Sequence, residues 1–445
     1  MNSLPEELLL QICEIVLTQF WQGKWVWNTL RRTRNLHRLS LVSRRFNRIV
    51  TPLLYEQIRG PMLKAVPFWR QISETLYRNP MLAQHIKSIL VPECEPLFHN
   101  PPPSNLRSEL PAALLPTLHC YGSFPEVVYN LQNRSQRGDN VLLTFLIHQA
   151  PSLEKLELLG FEAEYHHNIP VRLPIAVEEM GLSIYKDLDA GLTPHCYVSL
   201  RILRIDLDRW GYFPPRSIIP FLSLPQLKSL SLSAWGAQTN RRKKRGFKVF
   251  GSGREWPVRS SSIENLNLMR VGAAASQTWY TGIYDALLSH ASSLESIFLT
   301  EPQYSDEEPL PATFTHTEML STLRSLQTAY SILVGARRPS DIAEFLPSSL
   351  EYLVLHFVQG DLAALWNQID AIIIQAGEAI HSACLSGSLP YLKGVEFTLK
   401  IDQRELLFMP HFDLKHIIVA LKAHGVQFGV SMVTEYNTCE TPTCD

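Results

Sequence analysis

The sequence predicts an α/β chain. A small helical module over residues 1–58 should precede an irregular, loop-rich array of helix–turn–strand units over residues 59–435, with a polar tail at 436–445. Three observations carry this. The chain opens on a helix-start signal followed by a doubly striped apolar pattern. A six-residue motif, apolar-x-x-apolar-x-apolar, then recurs along most of the remainder. The composition, 45% hydrophobic and 19% charged, is that of a packed protein and not of a disordered one. At about 100–200 residues per domain, 445 residues make two domains or one elongated array.

Ser3-Leu4-Pro5-Glu6 reads as a capping box, with the Ser3 hydroxyl accepting from the Glu6 N–H and the Glu6 carboxylate reaching back. Pro5 is tolerated in the first turn, where N–H groups lack helical partners. A helix should run to about Phe20. Leu8, Ile12 and Ile15 form one apolar stripe, and Leu9, Cys13, Val16 and Leu17 a second. A lone surface helix shows one stripe. Two imply a helix held between its own small core and something else. The next helical pattern is Leu36, Leu39, Val42, Phe46, Ile49, Val50 and Leu53, with Pro52 expected to bend or end it. Three short helices make a very small core, marginal alone, so the module should lean on a partner or on the rest of the chain.

Leu4-Pro5-Glu6-Glu7-Leu8-Leu9-Leu10-Gln11-Ile12, followed by Leu39-Ser40-Leu41-Val42-Ser43-Arg44-Arg45-Phe46-Asn47-Arg48-Ile49, resembles an F-box. Thr51-Pro52-Leu53-Leu54-Tyr55 resembles the close of F-boxes in filamentous fungi. The resemblance implies docking onto the Skp-family adaptor of a cullin–RING ubiquitin ligase. It places Leu4, Pro5, Leu8 and Ile12 at the adaptor from the first half, and Leu36, Leu39, Val42 and Phe46 from the second. Residues 20–35 make a longer link than usual and hold Trp21, Trp25 and Trp27. These indoles either pack on the module's own helices or add contact with the adaptor or the following domain.

The recurring motif appears at Leu153-Leu156-Leu158, Leu200-Leu203-Ile205, Leu227-Leu230-Leu232, Ile263-Leu266-Leu268, Leu294-Ile297-Leu299 and Leu350-Leu353-Leu355. Weaker copies are Ile86-Ile89-Val91, Leu323-Leu326-Thr328 and Leu392-Val395-Phe397. From Leu153 onward the steps run from 27 to 47 residues, about 34 on average. Ser or Pro precedes most copies, and helical stretches come before that punctuation at 141–149, 283–290, 341–346 and 362–384.

This resembles a leucine-rich-repeat array, which implies parallel strands on a concave face and helices on a convex one. The Asn or Cys expected three residues after the last Leu is absent; Phe161, Asp208, Trp235, Val271, Pro302 and Val358 stand there. A side-chain ladder should therefore be missing and the solenoid irregular. The residues between and just after the apolar positions should face the concave side. Among them Met269, Phe298 and His356 make an apolar-centred surface for a protein substrate. The competing reading gives recognition to the long insertions.

Residues 91–125 hold eight prolines and read as a surface excursion, as do insertions at 159–197 and 234–259. Arg241-Arg242-Lys243-Lys244-Arg245 lies in the last of these. It reads as a solvated loop, a nuclear-import signal or a phosphate contact. Asp306-Glu307-Glu308 reads as a solvated acidic loop. A net charge of −1 gives no reason to expect nucleic acid or an anionic membrane as partner. No segment reads as a signal peptide or a membrane span; the best candidate, 362–380, is broken by Asn367, Gln368, Asp370, Gln375 and Glu378. Seven scattered cysteines without a C-x-x-C pair favour a reducing compartment, cytoplasm or nucleus. His166-His167 and His195-Cys196 lack metal-ligand spacing, and the Cys439/Cys444 pair lies on a polar tail, so no metal site is expected. No nucleophile elbow, zincin helix or phosphate loop occurs, so neither enzyme chemistry nor a cofactor is expected.

Together these features predict a substrate-recognition subunit of an SCF-type ubiquitin ligase, binding the adaptor (and through it cullin) at one end and an unknown protein substrate at the other. The alternative is an adaptor-bound interaction protein in chromatin or transport.

Overall fold

The structure is a computed structural model of the chain. It describes residues 4–18, 25–60, 65–91, 143, 146–162, 180–181, 184, 197–208, 220–234, 263–269, 287–288, 290–300, 320–334, 338–357, 368–402 and 414–435. Ser3, Trp21, the Pro-rich stretch, the basic and acidic runs, the paired histidines and the tail cysteines lie outside these residues, as do the Trp25 and Trp27 side chains.

Helices α1 (Glu6–Thr18), α2 (Trp25–Ser40) and α3 (Arg44–Glu56) open the chain. The expected link is thus helical from Trp25 onward. The apolar run through Val42 is not one helix. Ser40 ends α2 with its hydroxyl on the His37 carbonyl at 2.7 Å. Leu41 and Val42 form a turn, and the Ser43 hydroxyl caps α3 by accepting from the Phe46 N–H at 3.2 Å. Pro52 does not end α3, which continues to Glu56. An interior proline costs about 3 kcal/mol. Here Leu53 and Leu54, just beyond it, pack on the core of Cys13, Leu36 and Val50 and offset that cost.

Strand β1 (Gln57–Arg59) follows α3 directly. Next come α4 (Ala65–Arg78), a 3-10 helix (Pro80–His85), β2 (Ser88–Val91), β3 (Lys155–Glu162), β4 (Ile202–Asp208), β5 (Ser229–Ala234), β6 (Asn265–Met269), β7 (Ser296–Thr300) and β8 (Ser325–Ala329). The chain ends with α5 (Tyr330–Val334), β9 (Tyr352–Phe357), α6 (Ile369–Leu385), β10 (Gly394–Asp402), α7 (Lys415–Ala423) and β11 (Gln427–Glu435). β3 runs four residues into the expected insertion. The eleven strands pair in sequence order, and the described registers are parallel. Two compact units result, residues 1–162 with 174–204 and residues 163–173 with 205–445. The helical module shares its unit with β1 to β3.

The motif's spacing explains the sheet. In each copy the strand begins two residues after the first apolar residue, so the fourth and sixth point to one face. Every apolar position of the nine copies is buried, including Thr328 in the seventh along the chain. Tyr330, Phe357, Phe397 and Phe428 add a run of ring contacts in the second unit, with centroids 4.8 Å, 5.8 Å and 5.3 Å apart in turn.

A ladder does run along the second unit, though not the one whose absence the sequence predicts. The hydroxyl just before a copy's first apolar residue donates to the carbonyl of the previous copy's first apolar residue. Ser293 reaches Ile263 at 2.9 Å, Thr322 reaches Leu294 at 2.9 Å and Ser349 reaches Leu323 at 2.8 Å. The Ser punctuation in the sequence is the trace of this ladder. Thr322→Val keeps the shape and removes the hydroxyl proton that Thr322 shares between the Leu294 carbonyl and, at 3.1 Å, the Ala291 carbonyl. Its expected cost is about 1–2 kcal/mol, measurable by urea unfolding. An unchanged midpoint would deny the ladder any part in stability.

Candidate functional site

Two surfaces are candidates for a functional site, one in each unit. In the first, the two stripes of α1 have different fates. Leu9 and Cys13 are buried in the module, whereas Leu8, Ile12 and Ile15 are 44%, 46% and 51% exposed. Their spacing puts them on one side of α1. Leu41 and Val42, in the turn before α3, are 71% and 67% exposed. Glu6 fixes the start of α1 against α3 by pairing with Arg48 and, at 3.9 Å, with Arg45. The Arg45 guanidinium also donates to the Leu4 carbonyl.

Burial therefore sorts the eight residues expected at the adaptor. Pro5, Leu8, Ile12 and Val42 are exposed and Leu4 is half-buried. Leu36, 2% exposed, belongs to the module's own core, and Leu39 and Phe46 pack half-buried against that core. The reason is the turn at Leu41: it breaks the helical period, so Leu36 and Val42 cannot share a face. Ile15 and Leu41 are exposed apolar residues absent from the expected set.

In the second unit, β5 to β11 carry three cross-strand rows on the side away from the buried apolar positions. The middle row aligns Ser231, Asn267, Phe298, Gln327, Val354, Glu396 and Gly429. Its described side chains are half-buried, and Glu396 is exposed. The following row differs from expectation. Ser233, Ala329, His356 and Thr398 are buried there. His356, 7% exposed, sits in register between the small residues Ala329 and Thr398. The Phe298 ring meets it edge-on at 6.1 Å, and the Gln327 amide lies 2.7 Å from its Nε2. His356 is thus enclosed beside Phe298 and Gln327, more deeply than the sequence predicts for a residue of the concave face. The Met269 side chain lies outside the described residues; its backbone sits in this following row, opposite Ser233 and Thr300. Serines hold the carboxylates at the two ends of the face: Ser233 donates to Asp206 at 2.5 Å and Ser431 to Glu396 at 2.6 Å.

A charged row flanks this face, on the residue just after each copy's first apolar position. Lys228 donates to Glu264 at 2.6 Å, Arg324 lies 3.5 Å from Glu351, and Lys393 donates to Glu351 at 2.5 Å. The first unit shows the same device in Lys87 and Glu56, 3.2 Å apart. The Lys393 hydrogen bond, aided by the charges of Lys393 and Arg324, holds the Glu351 carboxyl below its ordinary pKa, and Glu351 in turn raises that of Lys393. Lys393→Met should move the Glu351 titration upward, as followed by carboxyl NMR shifts; a titration that stays put would mean the pair is not populated in solution. The row is visible in sequence as a charge in nearly every copy at a fixed offset, a signal that an apolar search passes over.

Among the described residues no group of three His, Cys, Asp or Glu side chains is arranged to hold a metal ion, and no helix is long and apolar enough to cross a membrane. No protein-family model matches the chain, and no curated protein matches it in sequence.

Proposed function

We propose that the chain is the substrate-recognition subunit of an SCF-type cullin–RING ubiquitin ligase. Its N-terminal helices form an F-box that docks on the Skp-family adaptor, and its leucine-rich-repeat-like sheet holds a protein substrate. The observation that carries this reading is one stripe of α1: Leu8, Ile12 and Ile15 lie exposed on a helix whose other stripe is already buried at Leu9 and Cys13. Apolar side chains grouped this way on a small module gain by association with a partner. The two F-box-like halves, in order at the N-terminus, indicate which partner. The chain then acts by proximity, raising the effective concentration of substrate beside the transferring subunits. It needs no catalytic group or cofactor of its own, and it belongs in the cytoplasm or nucleus, where the adaptor is found.

Affinity purification of the tagged full chain tests the reading. Adaptor and cullin should copurify at comparable amounts. Adaptor without cullin would redirect the function to a non-ubiquitin role, and absence of both would overturn the assignment.

A further inference from the structure

The outward face of β5 to β11 is poor in charge. Its first row is Ser229, Asn265, Ser296, Ser325, Tyr352, Gly394 and Gln427, and its middle row carries one carboxylate, Glu396. No Lys or Arg stands in the first, middle or following row of these seven strands. The charges collect instead on the flanking row of Lys228, Glu264, Arg324, Glu351 and Lys393. A charge-depleted centre with aromatic side chains, bordered by a charged rim, is the anatomy of a protein-binding surface. Phe298 is half-buried and braced by His356, and Tyr352 is 50% exposed. Both are rigid apolar platforms that lose little freedom on binding.

From this we infer that the face takes an extended protein segment carrying an apolar side chain and, about four residues away, a lysine or arginine. The apolar group seats on Phe298, and the cation pairs with Glu396. The spacing follows from the register. Phe298, Gln327, Val354 and Glu396 lie on four successive strands. At about 4.8 Å per strand the two ends of that path are some 14 Å apart, which an extended chain covers in about four residues. The sign follows from charge complementarity. Glu396 is exposed, Ser431 donates to it, and no cation in the three rows competes for it. An acidic segment would meet no cation in these three rows, which sets them apart from a surface that reads phosphorylated partners. The inference names the substrate class of the sheet proposed above and rests on that reading.

A peptide-display selection on the purified full chain tests it, using random dodecapeptides as the probe. Wild type should enrich an apolar residue followed by Lys or Arg at a spacing of three to five. Glu396→Arg should switch the second position to Asp or Glu, and Phe298→Ser should lose the apolar position. For a single enriched peptide, Glu396→Gln should weaken binding by up to about fivefold, the upper end for one exposed ion pair. Should Glu396→Arg fail to fold, Glu396→Gln is the variant that decides, by loss of the basic preference. Absence of any enriched motif, or a motif indifferent to Glu396, overturns the inference. Adaptor capture by the same preparations is scored separately. Peptide selection without adaptor binding would remove the ligase reading alone, and adaptor binding without peptide selection would remove this one alone.

Discussion

Changing Leu8 and Ile12 together to alanine is expected to weaken adaptor capture sharply while leaving the protein folded. Both side chains are nearly half exposed in the free chain, so truncating them removes little from its core. On docking they would be buried. Burial of one such side chain contributes roughly 1.5–3 kcal/mol, and interface losses concentrate in a few central residues. With about half of each side chain left to bury, the pair should weaken adaptor affinity by about tenfold to a hundredfold. The control is Leu9→Ala, on the opposite stripe, which should lower stability by about 2–4 kcal/mol without a specific effect on docking by the folded fraction. Binding titrations with purified adaptor, run beside thermal melts, separate the two outcomes. Wild-type affinity in the folded double variant would remove the docking assignment.

The second large effect concerns acid. His148 lies in the first unit with its Nδ1 2.8 Å from the Tyr197 hydroxyl, and burial pushes its pKa down to about 4. Unfolded, it would titrate near 6.5. Above pH 6.5 the group is neutral in both states and contributes no pH dependence. As pH falls from 6.5 towards 4, the unfolded chain takes a proton that the folded one refuses, and stability is lost. The total is on the order of 3 kcal/mol. Urea unfolding of His148→Gln should show a correspondingly smaller loss between pH 7 and pH 4.5 than wild type. Equal losses would show that the neutral imidazole is not the source. Tyr197 itself has a φ of 60°, the left-handed region that costs a residue with a side chain about 1–2 kcal/mol. Its burial and its contact with His148 hold it there.

The nine strands that follow the six-residue motif are legible in the sequence because burial of three positions per copy leaves a fixed apolar imprint. β1 and β11 left none. In register with Ile89, Ile58 of β1 occupies the fourth position, so Tyr55 and Gly60 fall where apolar residues stand in other copies. In β11, Phe428 aligns with Val395, which puts Gly425 at the first position. Gly425 has a φ of 76° and ends α7, its N–H bonding the Lys422 carbonyl at 2.9 Å, so the turn decides that residue and not the core. The candidate site was legible in part. The stripe of Leu8 and Ile12 shows from spacing alone. The inward place of Leu36 depends on the turn at Leu41, where the Ser40 and Ser43 hydroxyl bonds interrupt a continuous apolar period. The enclosure of His356 depends on its neighbours Ala329 and Thr398, which lie 27 and 42 residues away in sequence and come alongside only through the register.

Pairing in strict sequence order has a consequence for synthesis on the ribosome. Within the second unit, every strand after β5 finds its partner already made when it emerges. No strand waits for a later one. At about 5–20 residues per second, a repeat of some 30 residues arrives every few seconds, far longer than local pairing takes. The sheet can therefore grow by one strand at a time on a finished template. The hazard of such growth is that the newest strand is always an open edge, with unpaired N–H and C=O groups that invite another chain. At β6, β9 and β10 the charged residue just before the strand pairs with an opposite charge on the strand before it, which gives the arriving segment a reason to choose its own chain.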